Sequence, residues 1–176
     1  MYEQPREVSI PAAVFDHLRA ALAEAAGEGA GVSALHAAGF ASGEAMYDLF
    51  DPSEHLQPAE VGTTAFWIRL GRFFDQRGWG ALAPESPHPG VALLVSEDWA
   101  EADVPGQEHS TCAFTSGVLS YLLTRTAGTP VAVLETACRA RGDTRCEFAF
   151  GSERTIHALY TQLVDGHSFS EALDRL

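Results

Sequence analysis

The chain has 176 residues, of which 46% are hydrophobic and 20% are charged. This length and composition are typical of a globular protein, so we expect a single domain over residues 1–176. The formal net charge is −13, and all 11 basic residues are arginine because the sequence contains no lysine. Such an acidic surface repels phosphate groups, which argues against nucleic acid or an anionic membrane as a partner.

The first ten residues lack the basic and apolar regions of a secretory signal, and no apolar run is long enough to span a bilayer. We therefore expect a cytoplasmic protein with no membrane partner. Thiols stay reduced in that compartment, and the odd number of three cysteines also argues against a disulfide framework.

The N-terminal part, about residues 11–78, has the apolar periodicity of helices. The predicted helices run from Pro11 to about Gly27, from Ser33 to Asp51-Pro52, and from just after Pro58 to Gly78. The third carries four aromatic residues, Phe66, Trp67, Phe73 and Phe74. Such a stripe forms either a packed core or the wall of a pocket, and the pattern alone leaves both open.

The second half favours strands. Residues 78–86 and 90–99 predict two strands joined by a turn, and residues 111–128 predict a helix. Two further strands, 129–140 and 144–150, are joined by an R-G-D turn, and a last amphipathic helix begins at Ser152. The expected fold class is α+β, with N-terminal helices, an antiparallel sheet that ends in a C-terminal hairpin, and flanking helices.

The segment CRARGDTRC places two of the three cysteines on the last hairpin. A turn centred on Gly142 sets Cys138 opposite Cys146, close enough for both thiolates to bind one metal ion. Glu135 and Cys112 complete the pattern C-x22-E-x2-C-x7-C, a donor set suited to tetrahedral zinc.

Strand geometry adds a condition to this zinc hypothesis. Residues 135 and 138 are an odd number apart, so on a regular strand they point to opposite faces of the sheet. Binding by both requires a bulge near Thr136-Ala137. The alternative is that the cysteines are small buried hydrophobic residues.

No catalytic motif is present. The sequence offers no lysine for a Schiff base or P-loop, no G-x-S-x-G and no H-E-x-x-H. It also shows no signature of a nicotinamide or flavin site. These features leave the question of an enzyme open but favour a protein without catalytic activity.

The segment GVLSYLLTRTAGTPVAVLETACRARGDTRCEFAFGS resembles the 4-vinyl reductase domain family. The family's signature runs from a cysteine at a helix start to a hairpin with the pattern E-x-x-C…G-d-x-x-C, and the resemblance covers residues 112–151. The family includes a protein linked to bacteriochlorophyll synthesis and the sensor domains of phenol- and xylene-responsive bacterial activators. It is structurally related to small subunits of the vesicle-tethering TRAPP complex.

In the phenol-type sensors, three cysteines and a glutamate hold a structural zinc beside the ligand pocket. The resemblance therefore implies a structural Zn²⁺ in this chain, which would attach the hairpin to the preceding helix. The implied ligands are Cys112, Glu135, Cys138 and Cys146.

We expect the pocket between the aromatic third helix and the sheet. Three helix positions spaced i, i+4 and i+7 share one face, and alternate strand positions share a face of the sheet. The sensors hold the phenol hydroxyl with a histidine and a tryptophan, whose places fall near Thr63 or Thr64 and near Val91. This loss favours an apolar ligand. The expected lining is Thr63, Phe66, Leu70, Phe73, Val91, Leu93 and Val133.

Together these features predict a stand-alone sensor or carrier domain that binds a small hydrophobic molecule, aromatic ones included. We also expect a homodimer formed through the alanine-rich N-terminal helices. One alternative is an accessory or catalytic component in the metabolism of tetrapyrroles or other lipophilic compounds. Another is a protein-interaction module without a ligand.

Overall fold

The computed structural model of the protein describes residues 5–50 and 63–176. The expected α+β class is confirmed: helices precede and flank an antiparallel sheet. Within the described ranges the helices are α1 (Ala13–Ala26), α2 (Glu28–Phe50), α3 (Thr64–Asp75), α4 (Ala113–Ala127), α5 (Glu153–Val164) and α6 (Phe169–Leu173). The strands are β1 (Ala83–His88), β2 (Val91–Ser96), β3 (Ala132–Ala137) and β4 (Cys146–Gly151).

Most predicted boundaries hold to within a few residues, with two differences. The second helix begins at Glu28 rather than Ser33, so the glycine-rich link after α1 is largely helical. The first strand includes Ser86-Pro87-His88, which shortens the predicted turn to Pro89-Gly90. The predicted end of the second helix at Asp51-Pro52 and the start of the third after Pro58 lie outside the described residues.

The four strands pair in the order β1-β2-β4-β3, and every neighbouring pair is antiparallel. The strand β1 lies at an edge and is largely exposed. It contains Pro84 and Pro87, which cannot donate to a ladder on both sides, so an edge position suits it. The apolar strands β2 and β4 occupy the centre.

Side chains alternate between two cores on the opposite faces of the sheet. Leu94 and Phe148 point to the face covered by α2, α3 and α4, which we call the α2–α4 face. Their neighbours Leu93 and Ala149 point to the face covered by α5 and α6, which we call the α5–α6 face. Both faces of the central strands are therefore buried, as expected for strands with continuous apolar sequence.

The helices α2 and α4 approach each other at glycines. A Cβ atom on Gly39 would lie 2.0 Å from the carbonyl oxygen of Phe114, and one on Gly117 would lie 2.1 Å from that of His36. The two backbones can be this close only because neither position carries a side chain. This contact fixes α4, whose first turn follows Cys112.

Among the described residues, no helix combines the length and apolar character needed to cross a bilayer.

Candidate metal centre and ligand groove

The structure brings the four predicted metal ligands into one cluster. Cys112 is the N-cap of α4, Glu135 lies on β3, Cys138 follows β3, and Cys146 begins β4. One donor atom from each lies within 4.8 Å of every other. All three cysteine residues are fully buried. We call these residues the Cys₃Glu cluster.

The predicted strand irregularity is present where the geometry requires it. The β3–β4 register shifts between Glu135, which pairs with Phe148, and Ala137, which pairs with Glu147. Thr136 is thus the extra residue of a bulge. The shift allows Glu135 and Cys138 to face the same cluster despite their odd separation.

The R-G-D sequence shapes the loop after Cys138. The backbone N–H of Cys138 donates to Asp143 Oδ2 at 2.8 Å, and Gly142 adopts a φ of 107°, a conformation that favours glycine. Arg141 pairs with Asp143, and Arg145 pairs with Glu85. These arginines therefore bind carboxylates of the loop and sheet edge rather than the sulfur atoms.

The Glu135 carboxylate links the hairpin to α4 and has one oxygen to spare. Its Oε2 accepts a hydrogen bond from the backbone N–H of Cys112 at 2.9 Å. Its Oε1 is buried and has no hydrogen-bond partner. A buried carboxylate oxygen without a partner is costly, and a cation is the natural partner for it. The donor set therefore fits a metal ion.

The thiols share a single negative charge in the absence of a cation. Hydrogen bonds from the thiols of Cys112 and Cys146 lower the pKa of Cys138 far below its usual range. The hydrogen bond to Cys138 in turn raises the pKa of Cys112. The contact with Cys112 lowers the pKa of Cys146, but the one with Cys138 and burial outweigh it and raise that pKa to about 12.

The carboxyl group of the cluster is also displaced toward its neutral form. Burial, and then the charge of Cys138, raise the pKa of Glu135 well above its usual value. A bound divalent cation removes this penalty because its ligands are held deprotonated. Three thiolates and a carboxylate fill a tetrahedral zinc, which leaves no position for a reactive water and gives the ion a structural role.

A fifth buried group next to the cluster, Glu101, was not predicted from the sequence. It lies in the 3₁₀ turn Ala100–Ala102 and is 6% exposed. Its carboxylate accepts hydrogen bonds from Phe114 N at 3.0 Å, Thr115 N at 2.8 Å and Thr115 Oγ1 at 2.5 Å. It therefore caps the first turn of α4. Burial raises its pKa to about 7, against the opposing effect of the Thr115 hydrogen bonds.

The structure brings together only part of the predicted pocket lining. Phe66, Leu70 and Phe73 lie in the core of the α2–α4 face, and Val133 packs against it. The side chain of Leu70 is fully buried. Thr63 is the N-cap of α3, where its hydroxyl accepts a hydrogen bond from the backbone N–H of Phe66 at 3.2 Å.

The predicted placement of Val91 and Leu93 beside the aromatic helix is wrong. Both belong to the core of the α5–α6 face, on the opposite side of the sheet. The strand β2 is apolar at every position except Ser96, so the alternation defined two sets of side chains without showing which set faces α3. Leu94 occupies the position that was assigned to Leu93.

A groove of about 800 Å³ lies beside the buried aromatic residues, between the end of α2 and α3. Phe50 and Phe73 form part of its wall, and their rings contact each other edge to face at 5.4 Å. Ile68, which is 51% exposed, adds an apolar surface at the rim. Its volume lies within the range of small-molecule sites.

Comparison with protein-family models matches residues 95–152 to the vinyl-4-reductase domain, the family named above as 4-vinyl reductase. No curated protein matches the sequence significantly. Among solved structures, the chain is similar to the phenol-responsive sensory domain of the transcription activator PoxR, crystallised with phenol. The TM-score is 0.71 at 15% identity, over 91% of this chain and 83% of that chain.

Two further solved structures share the fold. One is a trafficking protein particle complex subunit 3 from Naegleria fowleri, covalently bound to palmitic acid, with a TM-score of 0.65 at 14% identity over 80% of this chain and 91% of that chain. The other is a vinyl-4-reductase family protein from Methanocaldococcus jannaschii, with a TM-score of 0.54 at 16% identity over 82% of each chain. At these identities the likeness concerns the fold alone. The resemblance seen in the sequence is confirmed: residues 95–152, which contain the whole Cys₃Glu cluster, match the vinyl-4-reductase domain.

Proposed function

We propose that this chain is a small-molecule-binding domain of the sensor or carrier type, in which a structural zinc ion joins the β3–β4 hairpin to α4. The observation that carries the proposal is the buried Cys₃Glu cluster within the segment that matches the vinyl-4-reductase domain. The ligand is a small hydrophobic molecule held at the aromatic side of α3.

The case for zinc rests on the chemistry of the four donors. Three buried thiols and a carboxylate with an unpartnered oxygen form a closed, sulfur-rich site, which suits zinc better than magnesium or calcium. When bound, zinc would neutralise the charges of Cys112, Glu135, Cys138 and Cys146. It would also fix the start of α4 against the sheet.

The case for a ligand rests on the fold and on the groove. The PoxR domain, which shares this fold, was crystallised with phenol. Here the groove between α2 and α3 has the volume of a small-molecule site, and its wall contains the rings of Phe50 and Phe73. Phe73 is the residue that the groove shares with the pocket predicted from the sequence.

Two further properties complete the proposal. The three cysteines form no disulfide, which suits the reducing cytoplasm. A homodimer through α1 and α2 is favoured because Leu18, Val32 and Phe40 are between 41% and 46% exposed on these helices, and α1 has no buried residue. Light scattering that gives twice the chain mass would support the dimer, whereas a monomer at high protein concentration would exclude it.

Mass spectrometry of organic extracts from the purified protein tests the ligand directly. A stoichiometric apolar compound would support sensing or carriage. A pigment would favour the alternative of a component in tetrapyrrole metabolism, and the absence of any compound leads to a binding assay. In that assay, failure of the folded protein to bind N-phenylnaphthylamine, a neutral fluorescent probe of apolar sites, would contradict the proposal and favour an interaction module.

A further inference from the structure

The groove between α2 and α3 has a cationic wall as well as an apolar one. Arg69 and Arg72 lie on α3 one turn apart, and Arg77 follows the end of this helix. All three line the groove, and no acidic side chain is among its described lining residues. This is unusual in a chain that has 24 acidic residues against 11 basic ones.

Two of these arginines are held in place by aromatic rings. The guanidinium carbon of Arg69 lies 4.7 Å from the centre of the Phe50 ring, and that of Arg77 lies 3.9 Å from the centre of the Phe73 ring. Arg77 also pairs with Glu7 at 2.6 Å. A guanidinium stacked on a ring keeps its N–H groups at its edge, where they can donate to an anion.

Arg72 differs from its two neighbours. Its side chain is exposed at the groove, and within residues 5–50 and 63–176 it takes part in no ion pair. An exposed arginine beside an apolar surface offers a charge-assisted hydrogen bond to a carboxylate or a sulfonate. The nearby Ile68 and Leu49 offer the apolar contact that such an anion's hydrocarbon part requires.

We propose that the ligand of this groove is a small amphipathic organic acid, whose apolar body packs on Leu49, Phe50 and Ile68 while its anionic group binds Arg72. This inference rests on the proposed function and names the chemical class of the ligand. Arg69 and Arg77 add positive potential around the anionic group.

The size of the groove and the charge of the chain favour a small molecule over a larger partner. A volume of about 800 Å³ suits a ligand of one or two rings or a medium-length acyl chain. An anionic membrane is disfavoured because the chain carries a net charge of −13. A neutral ligand such as a simple phenol would leave Arg72 without a partner of opposite charge.

A matched pair of fluorescent probes tests the inference. N-phenylnaphthylamine is neutral, and anilinonaphthalene sulfonate has the same ring system with an added sulfonate. We expect the full-length protein to bind the sulfonate about tenfold more tightly than the neutral probe, because a charge-assisted hydrogen bond contributes about 1.5 kcal/mol or more, which corresponds to about tenfold in affinity. Added salt should weaken binding of the sulfonate alone.

The variant Arg72→Gln identifies the residue responsible. It should lower the affinity for the sulfonate about tenfold and leave that for the neutral probe unchanged, whereas Arg154→Gln, an exposed arginine on α5, should change neither. Equal binding of both probes, or sulfonate binding that Arg72→Gln does not alter, would overturn the inference while the proposed function stands. If neither probe binds, both the proposed function and the inference fail.

Discussion

The carboxylate of Glu135 accepts a hydrogen bond from the backbone N–H of Cys112 at 2.9 Å, although the two residues lie on different elements. Glu135 belongs to β3, and Cys112 is the N-cap of α4. The second oxygen of the same carboxylate is buried without a hydrogen-bond partner. One side chain therefore links the hairpin to the helix and leaves a donor atom for a metal ion.

Removing this donor should weaken metal binding. We expect Glu135→Gln to lower the affinity for zinc by at least about tenfold, because an amide is a poorer zinc ligand than a carboxylate and carries no charge. Competition with a chelating dye measures the change. The exposed Glu97 provides a matched control, since Glu97→Gln alters the net charge equally far from the cluster. Equal affinities for both variants would show that Glu135 is not a ligand.

The contact between α2 and α4 allows a second test. We expect Gly39→Ala to destabilise the protein by about 1–3 kcal/mol or more, because the new methyl group would lie 2.0 Å from the carbonyl oxygen of Phe114. The control is Gly29→Ala, where a Cβ atom meets nothing within 4 Å and should stabilise α2 by about 0.4–1 kcal/mol. Urea unfolding measures both changes. A neutral effect of Gly39→Ala would show that the helices are not in this close contact.

The buried Glu101 predicts a dependence of stability on pH. Its pKa is raised from 4.5 to about 7 in the folded protein. The folded state therefore binds a proton that the unfolded state releases between these values. The stabilising contribution of this group is fully present below about pH 4.5 and is lost as the pH rises through about 7. The shift corresponds to about 3 kcal/mol.

The variant Glu101→Gln cannot ionise at this position. The difference in the free energy of unfolding between wild type and Glu101→Gln should therefore move in favour of the variant between about pH 5 and about pH 8. Urea unfolding at both values, with the variant Glu97→Gln as reference, measures this difference. A wild type that gains stability over Glu101→Gln as the pH rises would show that Glu101 is a stabilised anion in the folded protein.

The sequence predicted the metal cluster well because its geometry follows from local rules. Strand alternation required a bulge between Glu135 and Cys138, and the structure has its register shift at Thr136. The hairpin turn at Gly142 placed Cys138 and Cys146 together without knowledge of the rest of the fold.

The pocket was harder to predict because it depends on contacts between distant elements. The strand β2 is buried on both faces, so its apolar sequence did not show that Val91 and Leu93 face α5 and α6. Glu101 lies in a polar stretch that reads as a solvated loop, and only tertiary packing buries it. The arginines of the groove carry no motif, since their common location follows from how the end of α2 meets α3.

Native mass spectrometry of the purified protein, combined with thermal unfolding in a chelator, tests the central claim most directly. We predict one zinc ion per chain, its loss in Cys138→Ser, and its retention in Glu97→Gln. Structural zinc in small domains contributes on the order of 10 kcal/mol of apparent binding energy, so the chelator should lower the melting temperature markedly. A wild-type chain that is folded, free of metal and unaffected by the chelator would contradict the account.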